Sequence, residues 1–400
     1  MKAFLALLGL GAIALGGPSN RKLAEERTFY GDIEPVMRAK CTPCHRDGGV
    51  GPFPLETLAQ VKSRATLIQT VAMQSKMPPA DALSDLGKLR KYEKLTDSEL
   101  FRFQEWVNQK TQAGKPHPIP KVIATDWEMG KPDLIIYAKD MPKIRAEAVP
   151  YSPELRIPLN LDKTRILRAL DIRPTSPSAW RRALIAKAYP IKDRRDVFLG
   201  TGIDASRLVG SWGLGGLPWK LPAGSGVKLE PSDELVVSPL WQPTGKTESG
   251  DFEIGLYFDD AALATPNWLT LGKRDFVLPP QDSFTTLTSE LTVETDADVV
   301  SFAPEARLYG RMIRLIATPP DGVEKVLFFV FNWDSEWANS YVLDRAVTVK
   351  KGTKLTFEMT YDNSGHAFGN DRVIPAEVKF GPGARDELCW LHVQIVPKSG

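Results

Sequence analysis

Cysteine and histidine are scarce in this 400-residue chain, with three Cys and four His in all. Only one close cysteine pair occurs, Cys41 and Cys44, so neither a disulfide framework nor a zinc site built from two Cys pairs can be assembled. The apolar run from Ala3 to Leu15 falls short of the roughly twenty residues that an ordinary membrane-spanning helix needs. Long basic runs and glycine-rich phosphate loops are also missing, which removes the usual signatures of nucleic-acid and nucleotide binding. A formal net charge of +2 says little about partners, and 25% charged with 42% hydrophobic residues is ordinary for a soluble globular protein.

The two paired cysteines stand in the pentad Cys41-Thr42-Pro43-Cys44-His45. Cys-x-x-Cys-His is the attachment pattern of a c-type haem, in which each thiol adds across one vinyl group and the histidine becomes the proximal iron ligand. The spacing suits that chemistry: two intervening residues let both sulfurs reach one porphyrin edge while the next side chain turns under the iron. One covalent haem c is therefore expected, held by Cys41, Cys44 and His45. Cys389 is left over, so an exported chain of this kind would contain no internal disulfide.

Met1-Lys2, the apolar run and Gly16-Gly17-Pro18 read as a signal peptide over 1-17, with an uncleaved N-terminal anchor as the alternative. Export to the periplasm or beyond agrees with the haem motif, and no transmembrane domain is expected past the signal segment. Between 27 and 40, Ile33, Val36 and Met37 give a helical stripe that runs into the pentad. A second periodic stretch from Leu55 to Lys76 stops at Met77-Pro78-Pro79. Met77 on that stiff turn is the expected sixth iron ligand, with Met73, one helical turn earlier, as its competitor. Thr96 and Glu99 mark a capped helix start before Leu100, Phe103, Trp106 and Val107.

On the pentad, the Met-Pro-Pro turn and the closing helix with Trp106, residues 27-112 resemble a small class I c-type cytochrome. A Pro-rich linker over 113-123 follows, and His117 within it reads as exposed. Beyond it the pattern alternates with period two. Strands are expected at Arg165 to Ile172, Glu234 to Pro239, Phe252 to Phe258, Met312 to Ala317, Val326 to Phe331, Lys354 to Tyr361 and Leu388 to Val396. The fold class that follows is multidomain: a small all-α cytochrome c domain, then two all-β sandwich or jelly-roll domains over 124-265 and 266-400. A Pro-containing loop near Ala264 to Lys273 would divide them.

Several phrases in this half, among them Leu221-Pro222-Ala223-Gly224, Pro243-Thr244-Gly245-Lys246, Tyr361-Asp362-Asn363-Ser364 and Asp386-Glu387-Leu388-Cys389, resemble bacterial relatives of the copper type II, ascorbate-dependent monooxygenases. The resemblance implies two copper sites. The positions matching the first are Arg181, Arg182 and Leu240, with Gln242 just beyond; those matching the second are Glu305, Arg307 and Leu388. None can supply an imidazole, a guanidinium has no lone pair to give, and only His117, His366 and His392 remain elsewhere, so copper is not expected. His392 shares strand parity with Trp390 and Gln394, opposite Cys389, which reads as a buried inert thiol. Trp333, Trp337, Tyr341, Trp212, Trp219 and Trp241 read as packing before they read as a ligand pocket.

The expected function is single-electron transfer by an exported monohaem protein, with the β region binding a redox partner or ligand. The partner proteins are expected to be an electron donor and acceptor, with a copper hydroxylase or another periplasmic oxidoreductase as a possible partner by analogy. Nucleic acid is not among them. Two alternatives stay open: a haem-coupled monooxygenase with a rebuilt metal or substrate site, and a binding subunit with a sensory haem.

Overall fold

The computed structural model describes residues 26–79, 82–89, 94–119, 127–147, 149–188, 207–213, 218–262, 264–367, 374–381, 383 and 385–398. The signal-peptide reading of 1-17 and the last part of the linker lie outside these residues. The protein is mostly β, with 40% of residues in strands arranged in several sheets and 13% in helices.

Helices gather near the N-terminus: α1 (Glu34–Lys40), α2 (Leu58–Lys62), α3 (Ala65–Met73) and α4 (Asp97–Asn108). Their starts are written in the sequence. Thr57 with Gln60 and Thr96 with Glu99 form reciprocal capping boxes, each satisfying two N–H groups that a helix start otherwise leaves bare. Phe29, Ile33, Met37, Val61, Ile68, Phe103 and Trp106 bury their side chains together, and the Trp106 indole donates to the Gln112 carbonyl at 2.8 Å. The linker does not hang free. Phe29 and Tyr30 donate their N–H groups to Gln112 and Ala113, and His117 Nε2 lies 3.2 Å from the Tyr30 carbonyl oxygen.

A self-contained all-α cytochrome c domain over 27-112 is not what forms. The helices are short, with five to twelve residues each, and the chain between α3 and α4 leaves them altogether. Ala82–Leu83 instead pairs antiparallel with Lys325–Val330, and Ala82 and Leu89 join a hydrophobic core of the β region. Two of the helical segment's own apolar residues are thereby spent on another core.

Among the described residues the β region has five sheets, four of them in two stacked pairs and the fifth a two-stranded ribbon of Val277–Leu278 with Val378–Lys379. In the first sandwich the outer sheet runs Leu134–Ala138, Phe252–Asp259, Arg165–Pro174, Trp219–Lys220, and the inner sheet runs Leu155–Pro158, Glu234–Trp241, Trp180–Lys187, Leu208–Gly213. In the second sandwich the inner sheet runs Asn267–Gly272, Trp390–Pro397, Ala297–Glu305, Tyr341–Val349. Its outer sheet runs Ala82–Leu83, Lys325–Val330, Gly310–Thr318, Lys354–Tyr361, Thr285–Thr292. Asn267–Gly272 occupies the stretch expected to be a dividing loop, because Trp268 and Leu271 find buried places there.

The two inner sheets also pack on each other. Leu184, Ala186, Leu208 and Val236 of one meet Trp268 and Ala303 of the other. Alternation sorts Trp390–Pro397 cleanly, with Leu391, Val393 and Ile395 in the second core while Val396 reaches the first. Bulges sort the rest. An extra residue at Arg181 reverses the alternation, so that Trp180 fills the first core but Arg182 faces the second sandwich; an extra residue at Val300 turns Ser301, Ala303 and Glu305 toward the first. Arg182 and Glu305 meet there as an ion pair of 2.9 Å, both nearly solvent-free. Replacing Glu305 with Ala strands a buried guanidinium and is expected to cost about 3–5 kcal/mol, whereas Arg182→Met with Glu305→Leu should be close to neutral. Denaturant midpoints of the single and double variants check this; equal losses in both would refute the pairing.

Candidate functional site

The pentad is wound on the end of α1. Cys41 and Thr42 both donate to the Met37 carbonyl, and Cys44 and His45 donate to that of Cys41 at 3.1 and 2.8 Å. This tight winding places the two thiols and the imidazole on consecutive turns. Cys41 and Cys44 are half-buried and not joined in a disulfide, and burial together with the neighbouring Cys44 pushes the Cys41 thiol up to about 12. After the pentad the chain folds back under the ring: Gly51 donates to the Cys44 carbonyl and Leu55 to that of His45. A Cβ on Gly51 would lie 2.7 Å from His45 Nδ1, so only glycine allows this approach.

His45 Nδ1 lies 3.0 Å from the Phe53 carbonyl oxygen. A carbonyl only accepts, so Nδ1 carries the proton and Nε2 keeps its lone pair. Burial lowers the His45 pKa, which favours the neutral ring. A second hydrogen bond of this kind is what metal-bound histidines ordinarily make, fixing tautomer and orientation. The donor set therefore fits a covalently held haem iron. Met77 is half-buried in the turn after α3, its N–H donating to the Val71 carbonyl at 3.2 Å, while Met73 is 54% exposed.

The remaining histidines do not assemble. His117 and His366 are exposed, and His392 is fully buried. Among the described residues no group of three or more His, Cys, Asp or Glu could hold a metal ion. Cys389 is buried in the second core, and burial raises its thiol to about 11. Trp212, Trp219 and Trp241 are buried, with Trp180 against Trp212 and Trp241 edge-on; Trp219 donates to Gln394 at 2.8 Å, joining the sandwiches.

Positions singled out for copper have other duties. Arg182 and Glu305 neutralise each other, Arg181 lies 5.9 Å over the Trp337 ring, and the Arg307 N–H is accepted by the Glu387 carboxylate. The Leu388 carbonyl accepts from the Tyr361 hydroxyl at 2.6 Å, and Leu240 packs against the second core. Gln242 donates its N–H to the Ala179 carbonyl. Sequence reasoning missed that Glu387 is wholly buried; burial raises it to about 7 against the N–H groups of Arg307, Tyr309 and Leu388.

No family model matches this chain. No curated protein sequence matches it either. The expected membership in class I cytochromes c and in copper type II monooxygenases is accordingly not sustained, and no cytochrome c domain is indicated. The solved structures it resembles are distant. One is a Eubacterium rectale protein described as secreted, at 10% identity and a TM-score of 0.22 over 62% of this chain and 70% of that one. Another is infectious bursal disease virus, Gx strain, at 12% identity and a TM-score of 0.20 over 63% and 57%. A third is the VP2 subviral particle of that virus, at 12% and 0.18 over 59% and 58%. Likenesses this low carry no argument.

One buried group gives a pH dependence. His392 Nδ1 lies 2.9 Å from Thr270 Oγ1, its Nε2 has no partner among the described residues, and burial followed by the Arg182 charge lowers its pKa to about 3. The unfolded chain, with an ordinary value near 6.5, binds this proton more readily, so the contribution is full above about 6.5 and is lost as pH falls toward 3. By pH 4 the loss is of order 3 kcal/mol. Urea midpoints between pH 7 and 4 should fall less steeply for His392→Gln; parallel curves would show that His392 is not the group concerned.

Proposed function

We propose that this protein is an exported single-electron carrier. Cys41 and Cys44 hold one haem by thioether links, His45 supplies the proximal nitrogen through Nε2, and Met77 supplies the sixth ligand. The observation that carries the reading is the His45 ring, pinned through Nδ1 to the Phe53 carbonyl and following two half-buried cysteines that form no disulfide. When bound, the haem supplies an Fe(III)/Fe(II) couple. The chain's own residues do the rest: Phe53 and Gly51 orient the imidazole, and burial keeps it neutral and ready to bind iron.

In this reading the helical segment is the redox part and the two sandwiches are a body that docks a partner oxidoreductase or a small ligand. A cleft of about 630 Å³ between the sandwiches, lined by Arg168, Lys220, Leu221, Val300, Leu343 and Asp344, gives that body a place for a ligand of mixed polar and apolar character. Among the described residues no helix is long and apolar enough to cross a membrane.

Absorption spectra of oxidised and reduced protein, with iron and copper quantified on the same sample, test the proposal. One iron, no copper and a low-spin spectrum are expected. Cys41→Ser with Cys44→Ser should abolish covalent haem, and Met77→Ala should remove the methionine-to-iron signature while leaving the haem attached. Stoichiometric copper, or wild-type protein exported without iron, would sink it.

A further inference from the structure

The segment between α3 and α4 is the least expected part of the fold. Having left the turn at Met77, the chain runs out along the second sandwich before returning to α4. Ala82 and Leu83 pair with Val330 and Phe329, extending the outer sheet by one strand. The Asp85 N–H donates to the Val326 carbonyl at 3.0 Å, and Asp85 Oδ2 accepts from the Val326 N–H at 3.1 Å. Gly87 fits where a Cβ would lie 3.0 Å from Leu343 and 3.1 Å from Val347. The Asp344 N–H then donates to the Lys88 carbonyl at 2.7 Å, and Leu89 bridges to Leu343. Ala82 and Leu89, at 6% and 5% exposure, are members of the second core.

Met77 is thus held from both sides. Its N–H donates to the Val71 carbonyl at the end of α3, and five residues later the chain is bonded into a sheet. A five-residue span reaches at most about 18 Å, so Met77 stays within that reach of the sheet edge while Ala82–Leu83 remains paired. Surface loops ordinarily move at small cost because few buried contacts restrain them. This one is restrained by a ladder, a two-way hydrogen bond and two core side chains.

We propose that residues 82–89 form a positioning strap through which the second sandwich governs the sixth iron ligand. The proposal rests on the haem reading above. With the strap seated, the Met77 thioether is kept at its post; with the strap loosened, Met77 leaves more readily and an external ligand takes its place. Nothing is oxidised or reduced in the exchange: one donor lone pair replaces another. The coupling runs both ways, because whatever a seated strap contributes to Met77 ligation, Met77 ligation must contribute to the strap.

Two measurements on the full haem-bearing protein test this, with imidazole as the competing ligand. In the first, spectral titration compares the wild type with Asp85→Ala/Leu89→Ala, and with Thr286→Ala on the far edge of the same sheet as a control. The strap variant is expected to bind imidazole about tenfold more tightly, and the control to behave as the wild type. The second uses wild-type protein alone, so a misfolded variant cannot obscure it. Saturating imidazole should speed hydrogen exchange at the Asp85, Val326 and Asp344 amides, leaving amides of Thr285–Thr292 unchanged. If the methionine signature is present but neither affinity nor exchange responds, the strap has no hold on Met77 and the proposal is overturned with the haem reading intact. Attached haem with no methionine signature in the wild type also overturns it, since Met77 is then not the ligand. Absence of covalent haem fails the haem reading itself.

Discussion

One buried ion pair adds a directional constraint to the apolar packing between the two sandwiches. Arg182 and Glu305 stand on inner sheets of different sandwiches, 2.9 Å apart and nearly solvent-free. An isolated charge in such a place would cost several kcal/mol, so each residue is tolerable only while the other stays opposite it. Apolar contacts among Leu184, Val236, Trp268 and Ala303 would accept many sliding positions; the charged pair accepts one. Trp219 and Gln394 add a directional bond across the same seam. A seam that holds burial and charge together in this way favours a single docked geometry.

Both charges reach the seam through bulges. Without the extra residue at Arg181, Arg182 would point into a core containing Trp180, Trp212 and Trp241; without the one at Val300, Glu305 would point into the core around Phe302 and Phe328. Alternation in the sequence makes Lys354–Tyr361 legible, because Leu355, Phe357, Met359 and Tyr361 on one face are all buried while the other face is partly exposed. It cannot reveal Ala297–Glu305 or Trp180–Lys187 as readily, since strands buried on both faces lose their period and a bulge shifts what remains. The side of Trp390–Pro397 that carries His392 was legible from parity; that this side is covered by a second sandwich was not.

The candidate site divides along the same line. A contiguous pentad needs no tertiary information, and the Thr96 cap is equally local. The Phe53 carbonyl that orients His45 lies eight residues on, in a loop whose course depends on Gly51. The resemblance to copper monooxygenases failed where it relied on ordered short phrases rich in Gly, Pro and Asp. Such phrases record turns, and turns of this chemistry recur in unrelated β proteins. Arg182 and Glu305, taken singly, resembled lost ligands; their partnership is a tertiary fact.

The strap has a consequence for solubility. Beneath it runs Lys325–Val330, whose residues Val326-Leu327-Phe328-Phe329-Val330 form an uncharged, strongly β-prone stretch free of proline and glycine. Left at the margin of its sheet, that stretch would offer open N–H and C=O groups to the matching strand of another molecule, the geometry from which fibrils grow. Ala82, Leu83 and Asp85 take up those groups from Val326 to Val330. Residues 82–85 therefore close a sheet edge that would otherwise stand open, and a chain cleaved before residue 90 would be expected to lose this protection against self-association.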